Sequence, residues 1–182
     1  NIWTGLWRDG CGATAPDGCK PENALTGQIS WFENTTSILV PAAYKNYRFW
    51  RNTSVATLGA GQTATLPAGT LGYEWDWEQP AYAVNNPSGR FTLSSTTVTG
   101  KTHKLSLYRH SSGALVFGAG TIQWSWGLDG THDRGASTPS VIMQQATVNL
   151  LADMGVQPAT LQAGLVAATA STDLTPPASV IT

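Results

Sequence analysis

The stretch that decides the fold is RFTLSSTTVTGKTHKLSLYRHSSGALVF, residues 90–117. In its parts 90–100 and 103–110, apolar and polar residues alternate with the period of two that half-buried β-strands show. The residues HSSG (110–113) predict a hairpin turn into a further strand at 114–117. Outside this stretch, β-like runs bounded by turn residues lie at 28–32, 37–40, 54–58 and 63–66. We therefore predict a fold dominated by short strands.

One clear helix is predicted in STPSVIMQQATVNLLADMGV, residues 137–156. Ser137 or Thr138 is expected as the N-cap, with Pro139 at the first helical position and Gly155 as the left-handed stop. Apolar residues recur between them at helical spacing. We expect this helix, residues 139–154, to bury Ile142, Val148 and Leu151 against a sheet that contains residues 115–121. A second helical segment is predicted at 161–168.

The composition limits the class of partner. Among the 182 residues, ten Lys and Arg stand against eleven Asp and Glu, which gives a net charge of −1. A nucleic-acid groove needs a cationic excess, and a membrane span needs a long apolar run, so neither is expected. With only 12% charged residues and many small hydroxyl residues, the chain is typical of a secreted or cell-surface, β-rich bacterial protein.

The two cysteines, Cys11 and Cys19, lie in the short segment CGATAPDGC. The Gly, Pro and Asp between them allow the chain to double back, which favours a disulfide over two free thiols. A metal pair is less favoured, because no His or further Cys lies nearby in the sequence. A disulfide here would indicate an extracytoplasmic compartment.

The segment LGYEWDWEQP (71–80) alternates acids with aromatic residues. In an extended chain the acids share one face and the aromatic residues share the other. The acids are Glu74, Asp76 and Glu78, and the aromatic residues are Tyr73, Trp75 and Trp77. The pattern indicates either an amphipathic strand with a solvated acidic face, or a carboxylate among aromatic rings that has a raised pKa or binds a metal.

Further candidate residues lie in FGAGTIQWSWGLDG (117–130) and just after it. Gln123 stands where a dinucleotide fingerprint needs its third glycine, which excludes a phosphate cradle. Trp124 and Trp126 would share one face of an extended segment, either in the core or as the apolar wall of a pocket. The candidate catalytic residues are His103, His132 and Asp133, of which the last two are adjacent and could instead form a loop ion pair.

Several runs, taken in order, resemble the N,N-dimethylformamidase large-subunit-like family. They are TGLWRDG (4–10), PENALTG (21–27), FWRNTSVATL (49–58), LGYEWDWE (71–78), LVFGAGTIQWSWGLDG (115–130) and QQATVNLLADMGVQP (144–158). The resemblance is to the C-terminal part of the catalytic region and extends to about residue 170. It implies one domain at 1–170, with 171–182 as a linker toward a following Ig-like module of a longer protein.

The family resemblance implies a fold and a chemistry. The fold is similar to class I glutamine amidotransferases, with a mostly parallel sheet, flanking helices and an added β-rich section. The formamidase resembles a mononuclear iron amidohydrolase whose metal is held by two tyrosines and a glutamate, here Glu74. His103 falls near a supporting segment of the site, although Lys104 stands where an amide is expected and Gly72 where a histidine is expected. The tyrosine ligands would lie upstream of Asn1, so this chain alone is expected to bind no iron.

Two functions are consistent with these residues. In the first, the chain is the C-terminal domain of a secreted amidohydrolase acting on non-peptide C–N bonds of a small amide, inactive without the upstream half of the protein. It would supply the ligand Glu74 and a pocket wall of Tyr73, Trp75, Trp124 and Trp126. We then expect Glu74 in an aromatic cavity, paired with Arg51 or Arg109, and Asp76 and Glu78 more exposed. In the second, the chain is a non-catalytic extracellular module that contacts carbohydrate or protein.

Overall fold

The computed structural model describes residues 20–32 and 35–172, and the chain there is strand-rich. The α-helices are α1 (Asn23–Thr26) and α2 (Val141–Asp153). The strands are β1 (Ile29–Phe32), β2 (Leu39–Pro41), β3 (Thr63–Thr65), β4 (Trp75–Trp77), β5 (Phe91–Thr92), β6 (Thr96–Val98), β7 (Lys101–His103), β8 (Ser106–Arg109), β9 (Leu115–Gly118), β10 (Thr131–His132) and β11 (Gly135–Ala136). Short 3-10 helices span Ala42–Tyr44, Arg48–Trp50, Ser54–Thr57, Pro80–Asn85 and Trp124–Gly127.

The strands form small antiparallel sheets rather than one large one. A three-stranded sheet has the order β5-β8-β9, and two-stranded sheets join β1 with β4, β2 with β3, β6 with β7 and β10 with β11. The predicted hairpin turn is confirmed, since Gly113 N donates to His110 O at 2.8 Å between β8 and β9. All strand pairs within the described ranges are antiparallel, so the mostly parallel sheet implied by the resemblance is not found there.

Two segments predicted from apolar runs have a different structure. Residues 54–58, predicted as a strand, form a 3-10 helix because Thr53 Oγ1 and Thr57 Oγ1 each donate to the carbonyl three residues earlier, at 2.6 and 2.9 Å. Residues 161–168, predicted as a helix, contain only a turn. There the Gln145 amide pairs with both backbone groups of Val166, at 2.8 and 2.9 Å.

One apolar core joins the strands to α2. Its buried members are Ile38, Val40, Phe49, Trp50, Val55, Leu66, Leu71, Trp75, Leu93, Leu105, Met143, Ala146 and Leu150. The indole of Trp50 is fully buried and donates to Leu93 O at 3.0 Å, so its one polar atom is satisfied. Met143, Ala146 and Leu150 belong to α2, so this helix forms part of the core.

The helix predicted at 139–154 is confirmed, but its predicted N-cap is wrong. The cap is Ser140, whose Oγ accepts from Met143 N at 3.4 Å. Ser137 does not cap α2, because its hydroxyl contacts His132 Nε2 and Trp126 O instead. At the other end Gly155 adopts a positive φ of 82°, as predicted for the left-handed stop.

The surface against which α2 packs also differs from the prediction. Val148 is buried, yet it packs with Ala152, Ala168 and the partly buried Leu161 and Leu165 rather than against β9. The other two predicted contact residues, Ile142 and Leu151, are only partly buried.

Polar groups fix α2 on the backbone of residues 49–51. Asn149 Nδ2 donates to Phe49 O at 2.9 Å and to Arg51 O at 2.6 Å. Arg51 binds both oxygens of Asp153 at 2.9 Å, and Arg48 adds a third contact at 3.1 Å. These cations offset an acid at the carboxyl end of a helix, where the helix dipole disfavours negative charge. We call this set the helix seat.

Some predictions fall outside the described residues. Cys11, Cys19 and the linker residues 173–182 lie there, so the disulfide and the module boundary stay predictions. Within the described residues, no helix combines the length and apolar character that crossing a membrane requires.

Candidate functional site

The acid-aromatic segment of residues 73–78 is held on both sides by backbone pairing. Strand β4 pairs with β1, while Trp75 forms a bridge with Thr121 and Asp76 N donates to Gly120 O at 2.8 Å. Trp75 is buried, and its ring meets the ring of His103 edge-on at 6.0 Å. The predicted pocket-wall residue Trp75 therefore lies in the core.

The burial of the three acids is the reverse of the prediction. Glu74 is exposed, whereas Asp76 and Glu78 are partly buried. The expected partners of Glu74 are also engaged elsewhere, since Arg51 belongs to the helix seat and Arg109 donates to a carbonyl of its own hairpin. The prediction that Glu74 lies in an aromatic cavity is wrong, because Glu74 is exposed to solvent.

Among the three acids of this segment, Glu78 forms ion pairs with two cations. Its two oxygens bind Arg90 Nη2 at 2.5 Å and Lys104 Nζ at 2.6 Å. Arg90 also donates to Gly27 O at 2.6 Å and covers that glycine so closely that a Cβ there would collide with it. The charge of Glu78 is therefore compensated within the fold, and Lys104 is bound to it.

Aromatic and charged side chains from two distant segments meet on one surface. The guanidinium of Arg134 lies over the Tyr73 ring at 3.8 Å, and the rings of Trp126 and His132 stack at 4.1 Å with 9° between their planes. Trp126 Nε1 donates to Asp133 Oδ1 at 3.3 Å. We call these five residues the open face; Glu74 follows Tyr73 in the chain.

The open face is built on the hairpin of β10 and β11. Asp133 and Arg134 form its tip. Arg134 has a φ of 62°, a backbone conformation that residues other than glycine rarely adopt. The contact between its guanidinium and Tyr73 accompanies this strained backbone. A positive φ is usual in a two-residue hairpin turn, and Thr99 at the tip of the β6–β7 hairpin also has one, of 45°.

His132 and Asp133 do not form the predicted ion pair. His132 Nδ1 donates to the backbone carbonyl of Asp133 at 2.7 Å, because a carbonyl can only accept. Its Nε2 lies 2.9 Å from Ser137 Oγ. Both ring nitrogens are thus engaged in holding the hairpin, and the Asp133 carboxylate instead faces Trp126 and Arg134.

The two tryptophans predicted to share a face lie within one short 3-10 helix and contact different residues. Trp124 packs on Phe49 and Phe117, with ring centroids 6.3 and 5.4 Å apart, and its indole donates to Thr147 Oγ1 at 3.3 Å. Trp126 belongs to the open face. The prediction of a common face is wrong, because residues 124–127 form a 3-10 helix rather than an extended strand.

His103 lies in the interior, apart from the other candidate catalytic residues. It is fully buried, and its Nε2 donates to Ala119 O at 2.8 Å, which fixes the tautomer. Nδ1 has no hydrogen-bond partner in the described part of the chain. Burial lowers the pKa of His103 to about 4, against a smaller opposing effect of the Ala119 hydrogen bond, so the ring is neutral at pH 7.

The structure therefore unites some of the predicted site residues and separates others. His132, Asp133, Trp126 and Tyr73 meet on the open face, whereas His103, Trp75 and Trp124 do not reach it. Arg134 was not predicted, since nothing in THDRG indicates a contact with Tyr73. Across residues 20–32 and 35–172, no group of three or more His, Cys, Asp or Glu could hold a metal. The role of Glu74 as one ligand in a larger site stays a prediction.

Comparison with known protein families gives one match. The family model described as N,N-dimethylformamidase beta subunit-like, C-terminal, matches residues 1–137, which is more than half of the chain. The chain belongs to this family. All residues of the open face lie inside the stretch that matches the N,N-dimethylformamidase beta subunit-like family, and α2 lies after it. Searches of curated proteins and of solved structures found no match.

Proposed function

We propose that this chain is the C-terminal domain of a formamidase-like amidohydrolase and that the open face forms one wall of its substrate cleft. Family membership supports the class of protein. The observation that carries the proposal is the contrast between two acids of one segment. Glu78 is bound by two cations, whereas no hydrogen bond or ion pair described for this chain involves the exposed carboxylate of Glu74. Glu74 is therefore available to a group supplied from outside this domain.

The donor set of this chain does not by itself fit the iron that the family resemblance implies. Glu74 offers one carboxylate, and the described residues place no two further acidic, His or Cys donors with it. We propose that Glu74 is a single ligand and that the remaining ligands come from the upstream half of the protein.

The residues of the open face are suited to positioning a small amide. One face of the Tyr73 ring is covered by Arg134 and one face of the Trp126 ring by His132, so alkyl groups would contact the remaining surface of these partly buried rings. The exposed guanidinium of Arg134 can donate to a carbonyl oxygen. A second wall pressed against this face would exclude water from it. Binding and orientation, rather than proton transfer, are the roles that these side chains support.

The same proposal covers the surroundings of the domain. We propose that it packs beside a class I glutamine-amidotransferase-like sheet formed by the longer protein, of which it would be the strand-rich C-terminal section.

We also propose secretion or surface display, in keeping with low charge and a Cys11–Cys19 disulfide. Mass spectrometry of the unreduced protein tests the disulfide, since a mass two hydrogens below that of the dithiol form is expected.

The test uses the longer protein that contains this domain. Glu74→Gln is expected to lose bound metal and amide hydrolysis together, while circular dichroism and the melting temperature stay unchanged. Asp129→Asn is the matched control, because Asp129 is also exposed and its Oδ1, which accepts from Thr131 N at 2.7 Å, is retained in asparagine. Full metal content and activity in Glu74→Gln would show that the ligand role is wrong.

A second candidate function is a non-catalytic extracellular module that binds carbohydrate or protein through the same face. The two flat contacts, Arg134 on Tyr73 and His132 on Trp126, favour it, since planar groups suit sugar rings and partner side chains. This function predicts that Tyr73→Ala abolishes binding to an oligosaccharide array or a partner, whereas Glu74→Gln changes nothing. The opposite result supports the amidohydrolase domain.

A further inference from the structure

An open groove lies on the three-stranded sheet, and none of the open-face residues lines it. Leu107 pairs with Phe91 on one side and with Phe117 on the other, so these side chains point to the same face of the sheet. The Phe117 end of this face is covered, since Phe117 stacks on Phe49 with centroids 5.2 Å apart. The end near Phe91 is left open, and Phe91 is 51% exposed.

The open end of the sheet face encloses a cavity of about 250 Å³. Leu93 and Phe49 form its buried floor, and Leu107 and Leu115 line it from neighbouring strands. Tyr47 and Phe91, with ring centroids 5.6 Å apart at 58°, add two aromatic side chains to the lining. A concave, mostly apolar lining of this kind is typical of small-molecule sites, and the volume suits a ligand with one ring.

The polar residues that line the groove carry an excess of positive charge. Arg48, Arg109 and Asp153 line it, and Asp153 is already bound by Arg48 and by Arg51. Arg109 has no carboxylate partner in the described chain; its Nη1 donates to Gly113 O at 2.6 Å. A guanidinium beside an apolar surface is complementary to a molecule that carries an anion on an apolar body.

We propose that this groove binds a small aryl carboxylate, with its ring between Tyr47, Phe91 and Leu107 and its carboxylate at Arg109. The proposal does not depend on the proposed function, because the groove and the open face share no residue. It assigns the domain a second ligand site, distinct from any metal centre to which Glu74 contributes.

The test compares two ligands with the same phenyl and alkyl body, 3-phenylpropionate, which ends in a carboxylate, and 3-phenylpropanol, which ends in an uncharged hydroxyl. Titration of the 182-residue chain, followed by calorimetry or amide NMR shifts, is expected to show the acid binding about five- to tenfold more tightly than the alcohol. Arg109→Gln should lower the affinity for the acid to that of the alcohol. Phe91→Ala should weaken both, because it removes part of the apolar surface.

Lys20→Gln is the control for Arg109→Gln, since both side chains are exposed cations and only Arg109 lines the groove. It should leave both affinities unchanged, and an unchanged melting temperature shows that each variant is folded. Equal binding of acid and alcohol, no saturation by either, or equal losses in Arg109→Gln and Lys20→Gln would overturn the proposal. A dimer that Phe91→Ala disperses would assign the groove to a second copy of the chain, and would likewise overturn it.

Discussion

The helix seat and the open face each place an arginine beside an aspartate, yet the two arrangements differ in almost every physical respect. In the seat, the Arg51 and Asp153 side chains are 18% and 15% exposed and make two contacts of 2.9 Å. On the open face, the side chains of Arg134 and Asp133 are 57% and 72% exposed, and Arg134 Nε lies 3.7 Å from Asp133 Oδ2. The same residue types therefore perform different tasks.

The difference shows which region stabilises the protein and which is exposed to solvent. A largely buried, bidentate pair is costly to break, because removing one member leaves the other charged group without compensation. An exposed pair contributes little, since water screens it and both side chains lose freedom. Substitutions around the seat should change stability, and those on the open face should change binding alone.

The largest effect is expected from Val148→Asp, which places a charge where α2 packs on Ala152 and Ala168. The free energy of unfolding, measured with urea, should fall by about 3 kcal/mol or more. Val141→Asp is the control, because Val141 is 58% exposed in the first turn of the same helix and an acid is favourable there. Equal losses in the two variants would contradict the described packing of α2.

His103 should make the stability depend on pH. Its pKa is lowered to about 4 in the folded protein from an unfolded value of 6.5, so only the unfolded chain binds a proton between these values. Stability should be constant above pH 6.5 and should fall by up to about 3 kcal/mol as the pH decreases to 4. In His103→Gln this decrease should be largely absent, whereas in His110→Gln, at an exposed position, it should persist. If His103→Gln left the pH profile of stability unchanged, His103 would not be the cause of the pH dependence.

Asn149→Ala tests the polar half of the seat. It leaves the carbonyls of Phe49 and Arg51 without the donor they now share, at a cost of about 2 kcal/mol. Asn46→Ala, at an exposed position, should change the urea midpoint very little. If both variants unfold at the same urea concentration, the seat does not depend on Asn149.

The smallest expected effect gives the sharpest comparison between the two regions. Arg51→Gln should lower the free energy of unfolding by about 1 to 3 kcal/mol, while Arg134→Gln should change it by less than about 0.5 kcal/mol. Thermal and urea unfolding of the pair measure this difference directly. A larger loss in Arg134→Gln would mean that the open face is structural, and its role as a binding surface would be withdrawn.

The parts of the fold that were predictable are those with a local cause. The alternation in residues 90–117 and the turn HSSG specify a hairpin, and the spacing in 141–153 specifies a helix, because each signal lies within one element. Residues 54–58 and 161–168 were predicted wrongly because hydrogen bonds of individual side chains, one of them from the distant Gln145, decide their conformation.

The candidate site was predicted less well, for a related reason. Glu74 and Glu78 each follow an aromatic residue in the same short segment, and only the folded chain brings Arg90 and Lys104 to one of them. The contact between Arg134 and Tyr73 joins segments whose local patterns carry no sign of each other. Residue type indicated which side chains carry chemistry, whereas burial and partners depended on long-range packing.

The family match ends at residue 137, yet the core does not end there. Met143, Ala146 and Leu150 of α2 complete that core, and Met143 fills the space beside Gly127 so closely that a Cβ there would collide with it. A fragment trimmed to the matched residues would expose the apolar surface that α2 covers, and we expect it to aggregate. The piece that can be moved intact between proteins is therefore longer than the piece that sequence similarity recognises.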